Sequence, residues 1–255
     1  MNGNRQTPGT VKAGNIQHVM NLMYLGTALG FSILTALFFG LVLRHLRVAL
    51  TKTGWTEERQ KRVQVQTMLI IILWAVVVAV GSFTGFTQRF DLFPANLAPM
   101  LLIPLAGMLV ITFSKSTGQL LQVVPIKTLT YLQVFRVFVE ILLWMLFLQN
   151  IIPVQMTFEG LNFDIVAGIT APVMAYFFSG NKKVMIVWNI VCLGLLINIV
   201  TIAILSTPTF LRVFMNEPAN TIVTVFPFIF LPAFLVPLAY GLHFLSLRKL
   251  MMKPG

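Results

Sequence analysis

The chain has 255 residues, of which 57% are hydrophobic and only 10% charged, and its formal net charge is +11. A soluble domain carries about 25% charged residues, so the composition excludes an ordinary soluble protein. The basic residues lie in short blocks between apolar runs and form no continuous basic domain, which excludes nucleic acid as a partner and leaves phospholipid head groups.

Residues 1–16 read as a polar tail, neither a cleavable signal nor a transit sequence. A hydrocarbon core about 30 Å thick needs roughly 20 residues of helix to cross it. Seven apolar segments follow on that scale, at about 17–43, 65–84, 96–114, 128–150, 162–180, 184–206 and 221–247, with 248–255 as a tail. None alternates as barrel strands would. The expected fold is therefore an all-α integral membrane protein, a single seven-helix transmembrane domain over 17–247. The third and fifth segments are the shortest, and the fifth carries Asp164 and Pro172.

Arg44, Arg47, Lys52, Arg59, Lys61, Arg62, Lys115, Lys127, Lys182, Lys183, Arg248, Lys249 and Lys253 fall on one side of such a bundle; Arg5, Lys12, Arg89 and Arg212 fall on the other. By the positive-inside rule the first side is cytoplasmic, placing the N-terminus outside and the C-terminus inside. SKSTGQLLQVVPIKT, between the third and fourth segments, reads as an interfacial stretch on that cytoplasmic side.

The third segment has Pro99 and Pro104 five apart, and the seventh has Pro227, Pro232 and Pro237 at the same interval. Trp74 and Trp188 recur in the second and sixth. These coincidences point to a 3+1+3 parallel repeat of the SWEET transporter kind, although the Pro-Gln dipeptide of that family is absent. Proline frees a carbonyl and permits a bend, so the third and seventh segments are candidates for motion.

The fourth segment carries Gln133, Arg136 and Glu140 at spacings of three and four, on one helical face, with Tyr131 near that stripe. Isolated ionisable residues near the bilayer centre cost about 2.5 to 3.5 kcal/mol each on insertion scales, which makes them functional candidates. The competing reading is an internal Arg136–Glu140 ion pair that only fixes packing. Asn162 and Asp164, at the outer end of the fifth segment, read either as helix caps or as an outer vestibule above Glu140. Asn189 and Asn198 in the sixth segment and Tyr240 in the seventh are packing glue or further path residues. The expected substrate or ion path is thus Gln133, Arg136, Glu140, Asp164, Asn162, Tyr131, Asn189 and Tyr240; catalytic residues are not identified.

His45 and His243 fall near the cytoplasmic ends of the first and seventh segments and His18 near the outer end of the first. They read as head-group contacts rather than haem ligands, so no cofactor is expected. No metal site is expected either: there is no HExxH, and the methionines are scattered. The seventh segment has no lysine in its apolar body for a retinal Schiff base, and lone Cys192 permits no intramolecular disulfide.

FRVFVEILLW followed by IPVQMTFEGLNFDIVAGITAP resembles segments of uncharacterised bacterial seven-helix inner-membrane proteins. The resemblance implies a bacterial inner-membrane location and no particular activity. Three functions stay open. The leading one is a small-solute or ion transporter or channel with its polar site at mid-membrane on the fourth helix. The second is a membrane-embedded enzyme acting on a lipid or isoprenoid, which requires an apolar side opening to the bilayer beside a carboxylate. The third is a non-catalytic scaffold or accessory subunit. Expected partners are membrane lipids, an unidentified small solute or ion, and further copies of the chain in a homo-oligomer.

Overall fold

The computed structural model describes the backbone of residues 8–252 and the side chains of 19–252, so Arg5, Lys253 and the side chains of Lys12 and His18 lie outside the described residues, as do the side chains of the expected 1–16 tail. Among the described residues the chain is all-α: α1 (Pro8–Leu50), α2 (Glu57–Phe83), α3 (Ala98–Phe113), α4 (Lys115–Val123), α5 (Ile126–Tyr131), α6 (Phe135–Leu148), α7 (Ile165–Val173), α8 (Lys182–Leu205) and α9 (Val236–Met251). A 3-10 turn, Leu132–Val134, joins α5 to α6, and π-helical turns follow α7 (Met174–Phe178) and precede α9 (Leu231–Leu235).

Five helical stretches are long and apolar enough to cross a membrane, and a sixth is added if α3 and α4, bent by 71°, count as one span. The chain is an all-α polytopic membrane protein with five to six candidate transmembrane helices. The expected seven differ chiefly at the fifth segment, where nine α-helical residues and a five-residue π turn replace a full span.

Other boundaries shift for local reasons. α2 starts at Glu57 rather than about 65, because Thr56 accepts the Arg59 amide at 3.4 Å and Glu57 and Glu58 favour the positive end of the helix dipole. The seventh span begins at Leu231, not 221, since Pro227 and the Ile222–Thr224 3-10 turn keep 221–230 irregular, and it continues to Met251 through residues expected as tail. α4 takes the place of the interfacial stretch: Ser114 caps it by accepting the Thr117 amide at 3.2 Å. From α9, Arg248 Nη1 donates to the carbonyls of Thr112 and, at 2.8 Å, Ser114, satisfying acceptors that the bend leaves free. From the α1–α2 connection, Trp55 Nε1 donates to Gln119 and Arg59 Nη2 to Ser116.

The core lies between α1, α6, α8 and α9, with Phe31, Phe38, Phe135, Leu146, Leu196 and Leu235 among its buried members. α2 is peripheral and buries only Val78 and Ser82. Ile33 and Leu37 on α1 and Ile70, Leu73 and Val76 on α2 are more than half exposed, an apolar face suited to hydrocarbon.

The expected repeat is not reproduced. Its first half opens with a 43-residue helix and its second with nine-residue α7. Trp74 donates to the Ala233 carbonyl beside α9 and Trp188 to Thr170 on α7, two unrelated environments.

Candidate functional site

The segment between α6 and α7 builds the site. Asn150, with φ of 56°, takes the left-handed conformation that ends a helix, and Ile151 N–H closes back on the Leu146 carbonyl at 3.0 Å. The chain then runs back along α6. Glu159 Oε1 accepts from Trp144 Nε1 at 2.6 Å, Asn162 Nδ2 donates to Glu140 Oε2 at 2.6 Å, and Asp164 Oδ2 accepts from Arg136 Nε at 2.6 Å. These partners descend α6 in step, so α7 starts about 18 Å below the far end of α6 at 1.5 Å per residue. That is why α7 is short. Gly168 permits the close approach: a Cβ there would stand 2.7 Å from the backbone nitrogen of Val137.

Arg136, 1% exposed, is the centre of the cluster. Its Nη2 also pairs with Asp164 Oδ1, so the guanidinium grips both carboxylate oxygens. Nη1 meets His243 Nε2 at 2.9 Å, and Nη2 donates to the Cys192 carbonyl at 3.4 Å. Arginine only donates, so His243 Nε2 is the acceptor. The ring proton is then on Nδ1 and donates to Asn189 Oδ1 at 2.9 Å, while Asn189 Nδ2 donates to the Met185 carbonyl. Asn162 is equally committed, donating to Glu140 and the Met156 carbonyl and accepting the Asp164 amide. Glu140 Oε1 receives no hydrogen bond among the described residues.

The cluster corrects four expectations. Arg136 pairs with Asp164, not with Glu140, because the returning chain delivers a carboxylate with both oxygens free. Asp164 makes no side-chain cap to α7 and lies level with Arg136 rather than above Glu140. Tyr131 is 45% exposed and stands apart from the stripe, since the 3-10 turn intervenes before Arg136. Asn198, by contrast, makes the packing contact expected of a membrane amide: it is exposed and donates to the Leu161 carbonyl at 2.9 Å. Gln133 is buried and donates to the Ala239 carbonyl at 3.3 Å, and Tyr240 is buried on α9.

His243 is the member that sequence reasoning missed. With the last span ending at 247 it read as interfacial; with α9 continuing to Met251 it lies about 12 Å inside and is fully buried. Both ring nitrogens are engaged, which removes it as a haem ligand. The available signal was the pair Arg248 and Lys249, which fits the last turn of a longer helix.

A cavity of about 200 Å³ opens beside the cluster. Phe135, Val139 and Leu143 of α6, Leu196 to Ala203 of α8, Leu97 and Leu101 at the start of α3, and Leu231 to Ala239 line it almost entirely with apolar side chains. Arg136, Glu140 and Asp164 supply charge at one end; Thr207 and Asn220 stand at the other. α3 and α8 each pack on α9 without packing extensively on each other. Leu102, which lines the cavity, is 55% exposed on α3, so the space is a cleft through the apolar flank of the protein. Phe93 and Phe210, with ring centroids 5.5 Å apart, bridge its far rim.

Fold and site together define a polytopic membrane protein with a buried, hydrogen-bonded polar cluster at mid-membrane depth. Residues 93–251 match the model of a domain of unknown function, DUF8737, and the chain belongs to that family. The match spans every element of the cleft and cluster and leaves out α1 and α2. No curated protein and no solved structure matches the chain.

Proposed function

We propose that this protein binds a lipid-like amphiphile taken laterally from the bilayer and carries it along the cleft between α3 and α8. The observation that carries the reading is the lining: an apolar flank opening that ends on Arg136, Glu140 and Asp164. A hydrated ion or small polar solute loses water on entering such a space and finds few partners there. An acyl or isoprenoid chain loses nothing. Movement draws on the wall that holds Pro232 and Pro237, where a π-helical turn replaces regular helix.

The same carboxylate beside the same apolar opening favours a second reading, an enzyme acting on a lipid or isoprenoid with Glu140 as general acid or base. The two part on whether the bound molecule leaves chemically changed.

The working topology is seven crossings, with α3–α4 as one bent span and α7 as a short crossing completed by the chain that descends along α6. The basic residues of the α1–α2 connection, α4, the α7–α8 turn and the end of α9 support a cytoplasmic placement for that end, with the N-terminus outside and the C-terminus inside. The bacterial inner membrane is the proposed location, on the resemblance noted for the fourth and fifth segments.

In phosphatidylcholine nanodiscs, a phospholipid with a photoreactive diazirine on its acyl chain is expected to label residues 196–204 and 231–236. Ala203→Trp, which fills the cleft, is expected to remove that labelling. Labelling spread over α1 and α2 and indifferent to Ala203→Trp overturns the proposal. Mass analysis of the recovered lipid separates carrier from enzyme.

A further inference from the structure

We infer that the cleft selects amphiphiles with a cationic head group, an amine or a quaternary ammonium, and that Glu140 exchanges a proton for that cation. The inference rests on the cleft reading above and adds the sign of the ligand's charge.

The charge balance of the cluster leads there. The nearby charged and titratable side chains are Arg136 on the same helix, Asp164 on the chain before α7, Cys192 on α8, and Tyr240 and His243 on α9. Arg136 and Asp164 face each other with both carboxylate oxygens engaged, and they cancel. His243 accepts from Arg136 and so is the neutral ring. Of the three remaining N–H groups of Arg136, one reaches His243 and one the Cys192 carbonyl, so the paired donors that grip an anionic head group are no longer available.

Glu140 is left over. One of its oxygens holds Asn162, the other takes no hydrogen bond among the described residues, and the side chain lines the cleft. An ionised carboxylate against apolar walls inside a bilayer needs either a proton or a positive partner. An inorganic cation fits poorly, because it requires several oxygen ligands in place of its water, whereas the walls beside Glu140 are apolar apart from Asp164, whose oxygens Arg136 already holds. An organic cation brings its own apolar cover and needs only the one counter-charge.

The exchange balances simply. With the cleft empty of cation, Glu140 carries its proton. When the cation arrives, the carboxyl O–H bond breaks, the proton leaves to water, and the carboxylate forms an ion contact with the head group. No covalent bond to the ligand forms.

The test uses two probes with the same tail, dodecyltrimethylammonium and uncharged dodecanol, each competing with a photoreactive lipid of the same head group as its matrix in nanodiscs of digalactosyldiacylglycerol, an uncharged lipid with no ammonium group, with empty nanodiscs subtracted. Wild type is expected to prefer the cation by about tenfold or more, the worth of one good contact to a charged group. Binding is expected to release about one proton per cation, read with a pH indicator in weak buffer. In Glu140→Gln, with folding checked by thermal melt, the preference and the proton release are both expected to vanish; Glu140→Asp is expected to keep the release.

Equal affinity of wild type for the two probes, cation binding without proton release, or a preference that survives in Glu140→Gln overturns the inference. The first two readings need only wild type, so they stand even if the glutamine variant does not fold. If neither probe displaces the photoreactive lipid, the cleft reading fails as well.

Discussion

Arg136 shows how a costly residue becomes tolerable. Four of its five N–H donors are met by Asp164, His243 and the Cys192 carbonyl, on three different elements. Removing one partner leaves a buried charge without compensation, whereas replacing both partners with apolar residues removes the difficulty. Asp164→Ala is therefore expected to destabilise the protein by about 3–5 kcal/mol in denaturation measured in detergent, and Arg136→Met with Asp164→Leu to recover most of that. A double variant as unstable as Asp164→Ala would sink this account. The His243 tautomer is also checkable: nitrogen-15 spectra of labelled histidine should show a protonated Nδ1 and an unprotonated, hydrogen-bonded Nε2.

At the scale of elements, the descent of residues 149–164 along α6 decides the site. Asn150 starts it, and Gly168 sets its closeness at the other end. A side chain at Gly168 would press on the α6 backbone, which cannot turn aside as a side chain could. Gly168→Val is expected to cost about 1–3 kcal/mol and to part Asp164 from Arg136, whereas an equivalent change at Gly194, whose Cβ would meet nothing, should be close to neutral.

The loop beyond α8 gives a pH readout. Arg212 donates to Glu217 at 3.0 Å and Ala219 N–H donates to the same carboxylate, which together hold Glu217 below the ordinary carboxylate range. A depressed carboxyl keeps its contacts above its folded pKa and loses them as pH falls through it. The Ala219 amide proton should therefore shift in NMR spectra only at a pH below ordinary glutamate titration; a shift at the ordinary value would refute the contact.

For the whole molecule, the number of crossings has a direct experimental readout. Met215 is 71% exposed in the loop beyond α8, Gly180 is exposed between α7 and α8, and native Cys192 is buried. With seven crossings, an impermeant maleimide on intact cells should label Met215→Cys, and should label Gly180→Cys only after lysis. Labelling of Gly180→Cys but not of Met215→Cys in intact cells would reverse the direction of α8, which lies between them, and overturn that arrangement. The position of the family match, over 93–251, sets α3 to α9 apart as the unit that holds the cleft, with α1 packed on α6 and α2 outermost.

What the sequence determined by itself was whatever depends on local composition. Long apolar runs cannot remain in water, so the membrane class, the helices and their approximate centres followed, and the charges that a bilayer tolerates least, Arg136 and Glu140, stood out in a single segment. What the tertiary structure decided was every partnership. A spacing of four suggested Arg136 with Glu140, but Asp164 lies 28 residues away and reaches Arg136 only because the chain doubles back after Asn150. His243 lies 107 residues from Arg136 and joins it only because α9 extends to Met251. Helical periodicity reports which side chains share a face of one helix. The cleft and its leftover carboxylate depend on which faces meet, and packing between distant segments fixes that.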